Sequence, residues 1–446
     1  MRLPSRPQTE SEISPPPTAN EAGGTEAFAI SADLLIPGRG EPTKHATVVV
    51  KDGVIAWAGP TADLPAQHSG LETTSVPVAM PGLWDAHTHF MGADVALDAF
   101  GGSGAEFLPG AAALIGAVTV ADLHATLMAG FTSVRELGGY AGFVAPAVAR
   151  GAIVGPNVYS AIGVLSITGG HGDAHDAPLA TVRDACLRGG SPYAVCDGPD
   201  ECVRTVRRMV RQGARVIKVC STGGVLSRDD QPEDTQFSPA ELRAIVAEAA
   251  RSGRVVAAHA IGKPGIVAAL EAGVRSVEHG MYLDDEVATL MKAKGAILCP
   301  TRHIAESLGA DPEKLPLRQR EKMLRMLALS RSSLRLAVRR GVKIALGTDT
   351  YSSDRRNICS HGTNAKELFW AVEAGMTPLQ AVEMGTATPP ETLGPQAPLS
   401  GQIREGYDAD IIAVAENPLD DIVVLTKPAN ITHVWKGGKL FKEPAK

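Results

Sequence analysis

The hydrophobic positions change rhythm twice along the chain. From Ala27 to Val78 they fall in short strand-like runs, Phe28-Ala29-Ile30, Leu34-Leu35-Ile36 and Ala46-Thr47-Val48-Val49-Val50. Lys51-Asp52-Gly53 then reads as an Asp-Gly hairpin turn into Val54-Ile55-Ala56-Trp57-Ala58. The same style returns near the end, in Asp410-Ile411-Ile412-Ala413-Val414, in Ile431-Thr432-His433-Val434-Trp435, and across the turn 436–439 in Leu440-Phe441. One small β domain made from both ends of the chain, residues 26–79 and 396–446, is the expectation, with 80–395 inserted between them.

Inside the insert, helix-like segments end in glycine and a short apolar strand follows at once. This happens at Gly130, Gly213, Gly253, Gly273, Gly295 and Gly341. Glycine accepts the left-handed backbone that ends a helix, so each predicts a helix C-terminus. Ser238-Pro239-Ala240-Glu241 predicts a helix start, a capping box with Pro at the first helical position. Continuous apolar strands alternating with helices imply parallel pairing, both sheet faces covered. With the strand that reaches His87 and the run 157–161 the count is eight, which predicts an α/β fold, a (β/α)8 TIM barrel over 80–395. A doubly wound open sheet is the alternative, and no Gly-rich phosphate fingerprint supports it.

In such a barrel, chemistry lies at the C-terminal strand ends. Met80-Pro81-Gly82 kinks into a strand that closes on Asp85-Ala86-His87-Thr88-His89. Alternation puts His87 and His89 on one side with Asp85 behind them, and two imidazoles so placed can hold one metal ion. Alone, the pair is equally two polar residues at a strand end. Lys218 in the fourth strand, His259 ending the fifth, His279 ending the sixth and Asp349 after the eighth would share that rim, and the convergence outweighs any one of them. Lys218 interrupts the apolar run Val216-Ile217-Lys218-Val219-Cys220. Either it snorkels to the barrel mouth, or desolvation and nearby cations hold its amine neutral. A neutral amine can add carbon dioxide to give a carbamate, with one oxygen for each of two metals.

Composition narrows the partners. A net charge of −6 over 446 residues gives no electrostatic case for nucleic acid or an anionic membrane, and no apolar run approaches the ~20 residues of a bilayer span. Residues 1–25, rich in Pro, Ser, Thr and Glu, predict a disordered arm without the apolar core of a signal peptide. The six cysteines form no CxxC pair and read as free buried thiols in a reducing compartment, so the expected location is cytoplasmic.

An HxH motif, a strand-borne lysine, two single histidines and a late aspartate, in that order, resemble the binuclear-metal subtype of the amidohydrolase superfamily, over nearly the whole chain. The stretch from Gly401 to Ile412 followed by Asn417-Pro418-Leu419-Asp420-Asp421 is similar to that family's return to its small β-sandwich. Thr168-Gly169-Gly170-His171-Gly172-Asp173, the stretch from Ile217 to Ser227, Gln236-Phe237-Ser238 and Ser276-Val277-Glu278-His279-Gly280 are closest to its imidazolonepropionase-like branch, with the Xaa-Pro dipeptidases and ochratoxin-hydrolysing amidohydrolases. The resemblance implies two divalent metal ions, taken as zinc. His87, His89 and Asp349 would hold the more buried one, His259 and His279 the other, and the carbamate of Lys218 would bridge them. Two cations against a carbamate, an aspartate and a hydroxide leave about +1 to polarise a carbonyl. Asp349 would carry the nucleophile's proton to the leaving nitrogen, and His171 would donate to the oxyanion or else brace its loop beside Asp173.

The activity so implied is carboxypeptidase-like hydrolysis of a small-molecule amide, a dipeptide of Xaa-Pro type or an N-acyl amino acid such as ochratoxin A, by a homo-oligomer. A cyclic amide hydrolase resembling imidazolonepropionase is the second reading. A metal-free assembly protein on the same fold is the third, and it predicts missing ligands. For a substrate carboxylate, Arg228 is the first candidate and Lys263 the next; Arg228 can equally pair with Asp229, Asp230 or Glu233. The apolar loop of Phe90, Met91, Val95, Leu97, Phe100, Phe107, Leu108, Leu114 and Ile115 reads as a lid over a hydrophobic subsite or as subunit-interface packing. His303 and His361 follow the seventh and eighth strands and can line the pocket; His45, His68, His124, His175 and His433 carry no assigned role.

Overall fold

The computed structural model describes residues 27–92, 109–175, 177–188 and 191–444; the expected arm at 1–25 and Val95, Leu97, Phe100, Phe107 and Leu108 of the apolar loop lie outside these residues. Both chain ends share one seven-stranded sheet. From the C-terminal edge its order is Lys439–Lys442, Ile431–Lys436, Ile411–Val414, Thr73–Pro81, Ala27–Leu35, Thr43–Lys51 and Val54–Pro60. Ala27–Leu35 and Thr73–Pro81 pair in parallel and the other neighbours antiparallel. The two runs expected around Phe28 and Leu35 are one continuous strand, because Ser31 and Ala32 keep pairing with Thr47 and Ala46. Asp52 (φ +53°) and Gly53 (φ +80°) form the hairpin turn, both left-handed as a type I′ turn requires. The central strand Ile411–Val414 is buried on both faces: Ile411 and Ala413 pack with Ile30 and Val48, whereas Ile412 and Val414 join the main core with Val78 and Met80.

The remaining strands are parallel and short. Leu83–Thr88, Phe131–Glu136 and Asn157–Ser160 form a three-stranded sheet. A six-stranded sheet runs Ile297–Cys299, Ser276–His279, Val256–Ala260, Ile217–Cys220, Val164–Ser166 and Tyr193–Val195. Two sets of bonds join the sheets: Arg215 N donates to Ser160 O (2.8 Å), and residues 343–346 bond to Leu298 on one side (Leu298 N to Lys343 O, 2.9 Å) and to Ala86 on the other (Ala86 N to Leu346 O, 2.8 Å). The expected eighth strand is thus present as isolated bridges at Ile344 and Thr350 rather than as a ladder. Its continuation is interrupted by Asp349, whose φ of +61° turns the backbone out of strand geometry. Val164–Ser166 and Tyr193–Val195 were not expected: each is three residues long, and neither begins directly after a helix-ending glycine, the cue that marked the equally short Ile297–Cys299.

The punctuation is as read. Gly130, Gly213, Gly253, Gly273, Gly295 and Gly341 all have φ between +64° and +105°, and Ser238 and Glu241 close a reciprocal capping box at the helix Pro239–Arg251. The expectation that no apolar run is long enough to span a bilayer fails. The helix Pro109–Met128 is long and apolar enough, by length and composition, to cross a membrane. In the fold its Ala111, Ile115, Leu123 and Leu127 are buried, and its buried Asp122 pairs with Arg355 (3.0 Å). The helix spans 20 residues with one acidic group, and small residues among its apolar ones hid its length.

Candidate active site

The strand Leu83–Thr88 delivers His87 and His89 to one rim. Beside it, His87 O accepts from Asp349 N (2.7 Å) and His89 N donates to Thr350 O (2.9 Å), so the segment after Leu346 is stitched to the strand. Gly347 permits this approach, since a Cβ there would lie 2.9 Å from His87 Cβ. Asp85 fastens the same junction: it accepts from His87 N, from Thr348 N and Oγ1, and from Asn364 Nδ2 (2.7 Å). Asp85 is therefore a buckle behind the histidines, and burial pushes its carboxyl up to about 6 against those bonds.

The outcome is a compact donor set. His87 Nε2 lies 3.2 Å from His89 Nε2 and 3.4 Å from Asp349 Oδ1, and His89 Nε2 lies 3.1 Å from the same oxygen. Ligand atoms of these three residues all fall within 4.8 Å of one another. Each opposite ring nitrogen is anchored, His87 Nδ1 to Glu278 Oε2 (2.9 Å) and His89 Nδ1 to Gly138 O (2.7 Å). Anchoring of that kind fixes the tautomer and leaves Nε2 for a cation, so the set fits a divalent metal ion.

Lys218 Nζ sits 3.4 Å from His87 Nε2 on the buried strand Ile217–Cys220. His259 and His279 follow, ring to ring: the His87–His279 centroids are 5.1 Å apart and the His259–His279 centroids 4.5 Å. His279 Nδ1 is bound to Thr301 Oγ1 (2.7 Å), which leaves Nε2, and His259 Nε2 to Gly223 O (2.9 Å), which leaves Nδ1. Burial, then the Lys218 cation, holds His87 well below the usual histidine range; burial likewise depresses His259 and His279, so all three are neutral, the form that ligates. Burial also lowers the Lys218 amine, against Glu278, Cys220 and Asp349. For Asp349 burial pulls upward, but His87, His89 and Lys218 outweigh it and the carboxyl stays below its ordinary value. His279 (φ +73°), Thr301 (φ +48°) and Asp349 (φ +61°) all hold left-handed backbone, a strain of about 1–3 kcal/mol per residue that clusters at functional sites.

The sequence pattern of the amidohydrolase family matches residues 78–441. The chain belongs to the amidohydrolase family. It is 47% identical to the ochratoxinase of Aspergillus niger over 430 residues, 93% of this chain and 86% of that one. The crystal structure of A. niger ochratoxinase superposes with a TM-score of 0.87 at 45% identity, covering 94% of this chain and 96% of that one. That of a Xaa-Pro dipeptidase with bound methionine does so with a TM-score of 0.80 at 29% identity, covering 94% and 100%. An imidazolonepropionase of Salinispora tropica is 27% identical over 275 residues, 57% of this chain and 62% of that one. This amidohydrolase is accordingly a hydrolase acting on amide C–N bonds.

The donor set opens on a cavity of about 1020 Å³. His171 lines it, stacked on His259 at 4.2 Å between centroids, with Nδ1 2.8 Å from Ser227 Oγ. Burial depresses the His171 ring to about 4. Arg228 also lines the cavity, but at its rim: it is half exposed and bonded to Asp229 Oδ2 (2.9 Å), one of the acidic neighbours foreseen for it. Lys263 is engaged by Asp284 (2.7 Å) and Glu286 (2.6 Å) and is not among the lining residues. His303 and His361 are not pocket residues of this cavity. His303 lies in the helix Arg302–Ala310, buried against Thr363, and His361 stacks on Phe90 at 4.2 Å.

Sequence reasoning missed the supporting layer. Glu278 binds His87 with one oxygen and Arg135 (2.8 Å) with the other, and both are fully buried. A glutamate beside a histidine in one buried strand and an arginine inside Phe131–Glu136 were the signals available. Thr301 and Gly138 gave none, since each acts through a loop.

Proposed function

We propose that this amidohydrolase cleaves the amide bond of an N-acyl or aminoacyl amino acid in carboxypeptidase fashion, with two divalent metal ions, zinc being the natural choice for histidine and carboxylate donors. The observation that carries the reading is the chain of donors from His89 through His87, Asp349 and Lys218 to His279 and His259 along one cavity wall. His87, His89 and Asp349 would hold one ion, His259 through Nδ1 and His279 through Nε2 the other, and Lys218 as its carbamate would serve both. Bound there, the ions supply Lewis acidity toward the amide carbonyl and acidify water near neutral pH. The chain's residues do the rest. Asp349 lies beside His89 and, ionised, can take the proton of the attacking water and return it to the leaving nitrogen. Glu278 and Gly138 fix the histidine tautomers, and burial lowers the Lys218 amine, which favours the neutral form that can add carbon dioxide.

The same assignment includes the scaffold. We read the two parallel sheets, joined at Ser160–Arg215 and through 343–346, as one (β/α)8 barrel, and the seven-stranded sheet with the turns around Ile403 and Tyr407 as a separate β-sandwich unit of residues 26–79 and 396–446.

Two features favour a sizeable substrate over a small cyclic amide. The cavity of about 1020 Å³ is at the top of the roughly 300–1,000 Å³ typical for drug-sized ligands. Part of its wall is apolar, with Ile304, Leu308, Pro316, Leu317 and Met323. N-acyl phenylalanines of the ochratoxin kind suit that wall, and Xaa-Pro dipeptides are the second class. Arg228 would meet the substrate carboxylate, giving up Asp229 to do so. The test compares kcat/KM of wild type and Arg228→Ala on one N-acyl amino acid and on its C-terminal amide. A charge-assisted pair of about 1.5–3 kcal/mol predicts a loss of about ten- to a hundredfold for the acid alone. Equal losses on both substrates would reject the clamp, and no hydrolysis of any N-acyl amino acid or dipeptide would reject the substrate class.

A further inference from the structure

One helix of the cavity wall is capped from a neighbouring helix, and the consequence reaches His279. The helix Arg302–Ala310 supplies Ile304, Ala305 and Leu308 to that wall. Its N-cap is Thr301, a residue type whose hydroxyl ordinarily accepts from the first N–H groups of its own helix while its backbone stays extended. Here the backbone is left-handed (φ +48°, ψ +40°), an outlier for a β-branched residue, and the side chain makes no bond to the helix. Thr301 Oγ1 instead meets His279 Nδ1 at 2.7 Å. The N–H groups at the helix start are served by another residue. Glu367, fully buried on the helix Lys366–Glu373, accepts from Arg302 N with Oε1 (3.1 Å) and from His303 N with Oε2 (2.6 Å). Arg302 straps the two helices together: it pairs with Glu373 (2.5 Å), and its guanidinium lies 4.9 Å from the Trp370 ring centroid.

Thr301 and Glu367 are thus alternative caps for one buried helix terminus, and only the second spares a hydroxyl for His279. A buried backbone N–H without an acceptor is costly, and the N-cap hydroxyl is the group placed to serve His303 N when the carboxylate is gone. Serving it requires extended backbone at Thr301 and takes Oγ1 off the imidazole. We propose that Glu367 is a positioning residue: by capping the helix Arg302–Ala310 in place of Thr301 it leaves the threonine hydroxyl to orient the His279 ring, and so sets how firmly a cation is held at His259 and His279. Glu367 is not among the residues that line the cavity, so its influence passes through Thr301. The inference rests on the reading of His259 and His279 as holders of a second ion. The first ion's residues are fastened by other groups, His87 by Glu278, His89 by Gly138 and the segment before Asp349 by Asp85, so the two affinities are separable.

The first arm of the experiment needs neither metal nor turnover. Crystal structures of full-length, metal-free wild type and Glu367→Ala are compared at Thr301. The variant is expected to show Thr301 with extended backbone, its Oγ1 on the helix N–H groups and off His279. A Thr301 that stays left-handed and stays on His279 overturns the proposal. If Glu367→Ala does not fold, Glu367→Gln takes its place in both arms: its carboxamide offers one acceptor to two N–H groups, and the same exchange is expected. The second arm titrates metal-free protein with zinc against a competing chelator, the second ion being the one that His259→Ala fails to bind. Glu367→Ala and Thr301→Val should each raise the Kd of that ion by about ten- to a hundredfold, the usual worth of a partner behind a ligating histidine, and leave the Kd of the other unchanged. Thr301→Ser, which keeps the hydroxyl, should bind both ions as wild type does. Because Glu367 acts through Thr301, the double variant should bind no more weakly than the weaker single one. Effects that multiply, or equal losses at both ions, reveal a general structural role and overturn the proposal. A wild type that takes up one ion only contradicts the two-ion reading instead, and the crystal comparison still decides which group caps the helix.

Discussion

At the scale of single residues, the site depends on groups that never reach the cavity. Glu278 shares its two oxygens between His87 and Arg135, at 2.9 and 2.8 Å, with no solvent exposure at either partner. Glu278→Gln leaves the Arg135 guanidinium buried without its counter-ion, which typically costs about 3–5 kcal/mol. It also weakens the orientation of His87, and second-layer partners of a metal-binding histidine are commonly worth about ten- to a hundredfold in metal affinity. The expected result is a lower Tm in metal-free protein together with a zinc Kd raised by that factor, read by calorimetry and competition titration. Unchanged values for both would remove Glu278 from the site. His87, His89, His259, His279 and Asp349 were legible as candidates because each sits at or beside the end of an apolar run, and Lys218 because it interrupts one. Glu278 stood in plain view within Ser276-Val277-Glu278-His279, but its role depends on Arg135, about 140 positions earlier. No local pattern carries a pairing of that range.

At the scale of elements, the signals that carried were those with a local physical cause. Six glycines predicted as helix ends are left-handed, and the capping box predicted at Ser238 closes as written. Val164–Ser166 and Tyr193–Val195 were missed because a three-residue strand leaves no periodicity and neither has the helix-ending glycine directly before it that marked Ile297–Cys299. The eighth strand was overdrawn because Ile344-Ala345-Leu346 is apolar enough to read as a strand. In the fold it is pinned only by bridges, since Gly347 and Asp349 turn the chain to bring a carboxylate back toward His89. The helix Pro109–Met128 shows the converse error, an apolar element whose length was hidden by small residues. The eighth-strand departure sits where the chain bends to build the rim, and there tertiary packing overrides local preference.

For the whole molecule, the seven-stranded sheet and the parallel strands meet at Asp410. It accepts from Asn157 Nδ2 (3.0 Å) on one side and Gly437 N (2.7 Å) on the other, and its carbonyl accepts from Gly82 N (2.9 Å). Burial pushes its carboxyl up to about 7, against those bonds and Lys436. The folded chain thus holds this proton more tightly than the unfolded one. Its contribution to stability is complete below the ordinary carboxylate pKa of about 3.9 and is lost as pH rises through about 7. Asp410→Asn, which keeps the Gly437 bond and cannot ionise, should therefore flatten the Tm profile of wild type over that window. Parallel profiles for the two proteins would show that Asp410 does not titrate there. The central claim, however, is that the six donors along the cavity form one two-metal site bridged by Lys218. The direct measurement is elemental analysis of fully active wild type and of Lys218→Ala, purified without chelator. The account predicts two divalent ions per wild-type chain, and in Lys218→Ala at most one ion with most activity lost. A fully active wild type with a metal-to-chain ratio near zero, or a Lys218→Ala that keeps both ions and its activity, would contradict it.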